Sequence, residues 1–553
     1  MSNSNFRIPA PVNEPIFSYA KNTKERTALK NELTRQSSIK IEIPIIIGGK
    51  EIKTNNIKKV VMPHNHKHVL AEYHIASDKE LALAIKAAKD AKETWQAMPF
   101  NHRAAIFLKA ADLISTKYRY LLNAATMLGQ SKTAFQAEID TPCELIDFLK
   151  FNAHYAEQIF SNQPISDKGT WNRLEYRPLD GFVAAISPFN FTAIAGNLSA
   201  CPAMLGNTII WKPASTAMLS NYYIMKVFEE AGLPAGVINF VPSSGADFSK
   251  IVLEDKDLGG VHFTGSTKVF KDIWQLTGKN INKYKSYPRL VGETGGKDFL
   301  FAHNSVAIDS GILHKDNTQL EQLAVALIRG AFEYQGQKCS ALSRAYIPSS
   351  IWEDIKKLML EKTAKLKTGD VSDFSNFLGA VIDKNSFDNI KKYIDAAKAD
   401  KNCQVLCGGY DDKKGYFVEP TIIVTKEANY VTMKEEIFGP VLTIYVYDDK
   451  DFDKTLELCG DNEYALTGAI WGRDREILTY MEKALQSAAG NFYINDKCTG
   501  AVVGQQPFGG GKASGTNDKA GSILNLFRWL SPRTIKETFN APSIVEYPFM
   551  DNE

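Results

Sequence analysis

Residues 181–211, GFVAAISPFNFTAIAGNLSACPAMLGNTIIW, contain no charged side chain. A run of that length can cross a bilayer. This one is interrupted by Pro188, Asn190, Gly196, Asn197, Pro202, Gly206 and Asn207, which favours a buried strand, helix and strand at about 182–186, 192–205 and 208–211. The pattern continues downstream. Apolar, β-rich runs stand at 237–241, 260–263 and 289–291, with helical patterns at 220–231, 248–253 and 267–277 between them. The strands are continuously apolar rather than alternating, the mark of a parallel sheet covered on both faces, a doubly wound nucleotide-binding type of fold. No G-x-G-x-x-G follows any of these strands, so the ordinary dinucleotide fingerprint is absent.

Outward from this block the chain stays organised. Upstream, Ser77-Asp-Lys-Glu80 forms a capping box ahead of an amphipathic run. Asn101 caps a second helix, and a third is predicted over about 133–155. The first fifty or so residues have little periodicity and read as an arm wrapped over a larger body. Downstream, a second alternating block runs from about 324 to 511, with helices at 355–367 and 387–399 and strands near 441–447 and 492–494. Two α/β lobes joined near residue 300 are expected.

With 553 residues more than one lobe is required anyway. Lys+Arg 65 against Asp+Glu 63 gives a net charge of +2, which argues for no nucleic-acid partner and no membrane surface. Seven scattered cysteines suit a reducing compartment. The N-terminal residues carry neither a secretory pattern nor an Arg-rich leader, so a cytoplasmic location is expected, or the mitochondrial matrix if a leader is missing from this sequence.

Several residues could carry chemistry. Cys339, in Gly336-Gln-Lys-Cys339-Ser340, sits among small and polar neighbours between an apolar helical run and a strand, a setting for an accessible nucleophile whose pKa a nearby positive charge or helix N-terminus could lower. Glu293, in Val291-Gly-Glu-Thr-Gly-Gly-Lys297, ends a buried strand where open α/β sheets bind ligands and could act as a general base; satisfaction by turn amides is the competing reading. Asn190, in Ser187-Pro-Phe189-Asn190-Phe191, could donate to an oxyanion or simply hold a turn. Gly265 and Ser266 begin a helix whose N-terminus suits a pyrophosphate. His64, His66 and His68 could ligate a metal, but they lack a carboxylate or cysteine partner and read as a solvated hairpin, so no metal is expected. Cys403 and Cys407 read as strand packing.

As an ordered set, Ser187-Pro-Phe-Asn190, Trp211-Lys212-Pro-Ala, Phe263-Thr-Gly-Ser266, Glu293-Thr-Gly-Gly, Gly336-Gln-Lys-Cys339 and Glu436-Ile-Phe438-Gly-Pro440 resemble the aldehyde dehydrogenase superfamily. The resemblance is closer to its glutamate-semialdehyde (Δ1-pyrroline-5-carboxylate) dehydrogenase branch, through Ala137-Glu-Ile-Asp140, Glu144-Leu-Ile-Asp-Phe, 490–496 and 499–517. It extends over roughly residues 15–538.

The resemblance implies an α/β fold of two doubly wound lobes with a small β oligomerisation element. The implied divisions are 1–160 (arm and helical part), 161–179 (oligomerisation hairpin), 180–294 (NAD-binding), 295–512 (catalytic) and 513–553 (C-terminal tail). It implies NAD-dependent oxidation of L-glutamate 5-semialdehyde to L-glutamate, the second step of proline catabolism. Cys339 would be the nucleophile, Glu293 the water-activating base and Asn190 the oxyanion donor. Ser187, Phe189, Lys212, Ser215, Gly265, Ser266, Glu436 and Phe438 would hold NAD; Ser215 stands where many NAD-specific relatives have an acidic residue, so NAD over NADP is an expectation only. Phe191, Ser340, Gly500, Ala501 and Phe508 would hold the substrate, its carboxylate on backbone amides. A homodimer or dimer-based hexamer and docking to a proline dehydrogenase are the implied partners. Competing readings are a dehydrogenase for another small acidic semialdehyde, a CoA-acylating enzyme, which would not need Glu293, and a non-enzymatic descendant, which would have no need to keep Cys339, Glu293 and Asn190. Residues 310–320, SGILHKDNTQL, look like a surface insertion for the branch.

Overall fold

The computed structural model describes residues 7–307 and 319–550. Most of the 310–320 insertion therefore lies outside the described residues. Two seven-stranded sheets dominate. In the first, the lateral order is Arg289–Glu293, Leu258–Thr264, Phe182–Ile186, Ile209–Lys212, Ile238–Phe240, Ile45–Ile47, Lys50–Ile52. The first five are parallel and the last two are added antiparallel. The uncharged segment is thus strand, helix Thr192–Met204 and strand, within a sheet buried on both sides. Val183 and Ala185 face one apolar cluster with Ile209 and Trp211, while Phe182 and Ala184 face another with Ile210 and Val261. Period-two alternation buries every residue when both faces are covered, which is why no polar stripe interrupts these strands. Gly181 enters the first of them at φ +102°, where a Cβ would stand 1.9 Å from the Asp257 carbonyl oxygen, so only glycine fits.

The second sheet orders Cys403–Cys407, Thr421–Thr425, Val441–Tyr447, Leu342–Pro348, Asp298–Ala302, Thr467–Trp471, Asn491–Ile494. All pairs are parallel except the Cys403–Cys407 edge. It too is covered on both faces, with Leu300, Leu442 and Ala469 on one side and Phe299, Phe301 and Ile470 on the other. A register shift between Val405 and Cys407 sends Cys403 and Cys407 to opposite apolar clusters.

Several sequence expectations need correction. The first fifty residues are not only an arm. They hold helix Lys24–Ser37, N-capped by Thr23, and strand Ile45–Ile47, which joins the first sheet. The third N-terminal helix is broken: Ala134–Glu138 passes through a π-turn, Ile139–Glu144, into Leu145–Ser161. Pro142 lacks the N–H that an α-helix needs there. The element at 161–179 is not a local hairpin; Thr170–Pro178 pairs antiparallel with Leu530–Thr538, far away in the chain. The histidine hairpin exists, with strands Ile57–Met62 and Asn65–His74, but His64 is not solvated. It is fully buried against Ser131 Oγ, 3.1 Å from Nδ1, and burial lowers its pKa to about 4. His66 instead stacks on Tyr416. Among the described residues no group of three or more His, Cys, Asp or Glu could hold a metal ion, and no helix is long and apolar enough to cross a membrane.

Candidate active site

Register fixes one half of the site. Thr264 pairs with Glu293, Phe263 with Ile186, and Ile186 with Lys212, so Ser187, Lys212, Gly265 and Glu293 emerge along one C-terminal edge of the first sheet. The chain then crosses through Thr294–Lys297 into Asp298–Ala302, whose first residue pairs with Leu342. Cys339, three residues before Leu342, therefore lies at the N-terminal edge of the second sheet. The candidate site forms where the two edges meet.

The cysteine segment is held by buried amides. Tyr334, Gln335 and Gly336 all have positive φ (51°, 55° and 65°), and a Cβ on Gly336 would meet the Gly439 carbonyl oxygen at 2.2 Å. Gln335 Nε2 donates to Ser131 O and Ala380 O, at 3.0 and 2.7 Å, and its Oε1 accepts from Gly379 N at 3.0 Å. Gln337 Oε1 accepts from Ile382 N at 2.9 Å. These bonds offset the cost of three left-handed residues in a row. Lys338 is buried on Glu333 at 3.1 Å, which also takes Lys497.

The Cys339 Sγ donates to Glu293 Oε1 at 3.2 Å. Contrary to the sequence expectation, the thiol is neither freely accessible nor activated by a helix N-terminus. It is 9% exposed, and burial, then the neighbouring carboxylate, pushes its pKa well above the ordinary thiol value. Burial also raises Glu293 to about 7. Access comes through a cavity of about 430 Å³ whose lining includes Cys339, Glu293, Phe191, Ser340, Gly500 and Phe508, together with Ala501. Ser340 Oγ pairs with Thr499 Oγ1 at 2.7 Å.

Asn190 is buried beside this cavity, and its Nδ2 donates to Gln337 O at 3.1 Å. A primary amide has two protons on that nitrogen, so one remains for a ligand near Cys339. Phe191 carries the Lys132 ammonium over its face at 4.3 Å, and Tyr334 shares that cation at 4.4 Å. Lys132 is fully buried on Asp140 at 2.5 Å, and Asp140 in turn accepts from Thr192 N and Ala193 N at the start of helix Thr192–Met204. Sequence reasoning missed this pair and the Thr499 hydroxyl. The only available signals were Asp140 within Ala137-Glu-Ile-Asp140 and Thr499 at the head of the quoted loop.

The remaining residues form a second group outside the cavity. Ser187 N donates to Lys212 O at 3.2 Å, and Trp211 Nε1 to Ser187 Oγ at 3.0 Å. Burial lowers the pKa of Lys212, while Ser215 is exposed at the start of a short 3-10 turn. Ser266 N-caps helix Thr267–Lys279. Thr267 Oγ1 accepts from Gly295 N at 3.2 Å, and Gly296 N donates to Glu436 Oε1 at 3.0 Å. The rings of Phe189 and Phe438 meet edge to face at 5.8 Å, Phe438 having φ +59°. This group suits a dinucleotide: a helix N-terminus for phosphate, a half-buried carboxylate for ribose hydroxyls, and a glycine pair against it, since a Cβ on Gly295 would stand 2.6 Å from the Glu436 carboxylate.

Known proteins resemble this chain over its whole length. The profile described as "Aldehyde dehydrogenase family" matches residues 51–535. A Delta-1-pyrroline-5-carboxylate dehydrogenase, mitochondrial, of Dictyostelium discoideum is 53% identical over 548 residues, covering 98% of this chain and 96% of its own. The Homo sapiens protein of the same name is 46% identical, covering 98% and 94%. The crystal structure of the Delta-pyrroline-5-carboxylate dehydrogenase from Mycobacterium tuberculosis bound with NAD superposes with a TM-score of 0.94 at 48% identity, covering 100% of both chains. The chain belongs to the aldehyde dehydrogenase family.

Proposed function

We propose that this protein oxidises L-glutamate 5-semialdehyde, the open form of Δ1-pyrroline-5-carboxylate, to L-glutamate with NAD. The observation that carries the reading is the Cys339–Glu293 contact of 3.2 Å in a cavity also lined by Ser340, Thr499, Gly500 and Ala501. Nucleophile, base and a carboxylate-binding wall then face one space. The relatives named above carry this activity in their names.

Glu293, with a pKa near 7, takes the Cys339 proton as the thiolate attacks the aldehyde carbon. The free proton on Asn190 Nδ2 and the Cys339 backbone N–H hold the oxyanion of the thiohemiacetal. Bound NAD supplies the hydride acceptor, held through Ser187, Phe189, Lys212, Ser215, Gly265, Ser266, Glu436 and Phe438. Once Glu293 has released the thiol proton to solvent, it takes a proton from water. The resulting hydroxide adds to the thioester carbonyl and displaces the Cys339 thiolate, which recovers a proton from Glu293 as glutamate leaves. Ser340 and the amides of Gly500 and Ala501 hold the α-carboxylate, while Phe191 and Phe508 flank the aliphatic stem.

An aldehyde panel tests the reading. Glutamate semialdehyde should exceed succinate semialdehyde and propanal in kcat/KM, with NAD ahead of NADP. Propanal turned over as efficiently as glutamate semialdehyde would overturn it. The Thr170–Pro178 and Leu530–Thr538 ribbon, with Trp171 and Phe539 exposed, supports assembly into dimers; a monomer in sedimentation would refute that. Relatives named as mitochondrial add the matrix to the expected cytoplasmic location, which fractionation decides. Docking to a proline dehydrogenase is read out by co-sedimentation, and its absence there would remove that partner.

A further inference from the structure

The arm formed by residues 7–20 reaches the cavity wall at Asn13, Glu14 and Ile16. Asn13 uses its whole amide there. Nδ2 donates to Asp147 Oδ2 and to Val503 O, both at 2.8 Å, and Oδ1 accepts from Gln505 Nε2 at 2.9 Å. The next residue repeats the attachment, Glu14 N donating to Asp147 Oδ1 at 2.7 Å. Glu14 is itself anchored by Arg119 Nη1 at 2.8 Å and Lys150 Nζ at 3.0 Å. One side-chain amide thus ties helix Leu145–Ser161, which carries Asp147, to the tip of the loop that contributes Gly500 and Ala501.

The tip has few other polar restraints. Gln505 N and Gln506 N both bond to Val502 O at 3.0 Å, and Val502 N to Gln506 Oε1 at 2.9 Å. Those bonds are internal. Among the described residues, the hydrogen bonds that reach residues 500–506 from outside the loop all come from Asn13. Gly500 and Gly504 have φ of +104° and +81°, so the backbone here includes residues with wide conformational freedom. Backbone amides discriminate a carboxylate only when they are fixed in place.

We propose that Asn13 is a positioning residue for carboxylate recognition: by gripping Val503 and Gln505, the N-terminal arm fixes the loop tip that presents the Gly500 and Ala501 amides. The proposal rests on the function proposed above. Asn13 touches no reacting atom, so the chemical step is untouched and the effect falls on substrate affinity.

Two measurements on Asn13→Ala test it. In steady state, KM for glutamate semialdehyde should rise about tenfold, the loss expected for two or three hydrogen bonds. Its kcat, and kcat/KM for propanal, should stay within about twofold. Loss of efficiency on both aldehydes alike, or an unchanged KM, overturns the proposal. Amide hydrogen exchange over 500–506 should quicken in the variant, and unchanged exchange also overturns it. The exchange arm does not depend on substrate. If the wild type fails to prefer glutamate semialdehyde while exchange still quickens, the substrate reading is wrong and the clamp stands as a mechanical fact alone.

Discussion

Replacing Glu293 with Gln removes the carboxylate and keeps its shape, and the structure fixes what should follow. Burial raises Glu293 from the ordinary 4.5 to about 7. The folded protein therefore holds this proton more tightly than the unfolded chain does. Below pH 4.5 both states are protonated and nothing is lost. Between 4.5 and about 7 the unfolded chain releases its proton first, so stability falls as pH rises. Above 7 the loss is complete and amounts to roughly 3 kcal/mol, from the spacing of the two values. A neutral amide at this position carries no such penalty. E293Q should be more resistant to heat or denaturant than wild type at pH 8, with the gain shrinking steadily toward pH 5. Kinetically, the amide cannot take the Cys339 proton, so in stopped flow the single NADH per active site, formed as hydride leaves the thiohemiacetal carbon, should appear more slowly than in wild type. Turnover should then fall by about 10²–10⁴, the usual contribution of a positioned base. In wild type the deacylation rate should climb with pH through about 7, and that limb should vanish in E293Q. Wild-type steady-state turnover in E293Q, or identical stability at pH 8, would refute the reasoning.

Three further substitutions probe other parts of the site. Cys339→Ala should abolish NAD reduction while NAD binding, followed by fluorescence titration, survives; any turnover with pyrroline-5-carboxylate counts against the nucleophile. Ser340→Ala removes the hydroxyl paired with Thr499 at 2.7 Å and should raise KM for glutamate semialdehyde by about three- to tenfold, with propanal kinetics unchanged as the control. Lys132→Met leaves Asp140 buried without its cation and should cost about 3–5 kcal/mol in denaturant unfolding; a loss below about 1 kcal/mol would mean that the helix start at Thr192 satisfies Asp140 alone.

What the sequence made legible was local. Four strand ends of the first sheet carry their own punctuation: Pro188 after Ile186, Pro213 after Lys212, Gly265-Ser266 after Thr264, and Gly295-Gly296 after Glu293. Period and breaker residues suffice to place them. What stayed hidden depends on partners far away in the chain. Asn13 meets Val503 across 490 residues and Ser340 meets Thr499 across 159, and no pattern within a window announces either. The segment at 161–179 and the tail after Asn517 were expected to share an oligomerisation element, but the antiparallel strand pairing of Thr170–Pro178 with Leu530–Thr538 has no local pattern to announce it.

Cys339 shows a different failure, one of inference from composition. Its polar neighbours suggested exposure, yet Gln335, Gln337 and Lys338 are buried, with Gln335 bonded to Gly379, the Gln337 Oε1 to Ile382 and Lys338 to Glu333. Polar residues imply solvent only when nothing in the fold can replace water. The consequence is chemical. A thiol pushed up by burial and a carboxyl pushed up to about 7 cannot be assigned independently, because the thiol's hydrogen bond lowers Glu293 while the carboxylate raises Cys339. At neutral pH the pair holds the nucleophile as a neutral thiol with its proton acceptor already in contact. Removing that proton needs no third group, only a carbonyl at the sulfur and an oxyanion donor opposite, and Asn190 is anchored two residues from Cys339, at the Gln337 carbonyl. The buried amides that made the loop look solvent-exposed in sequence are what hold the pair in register with that donor.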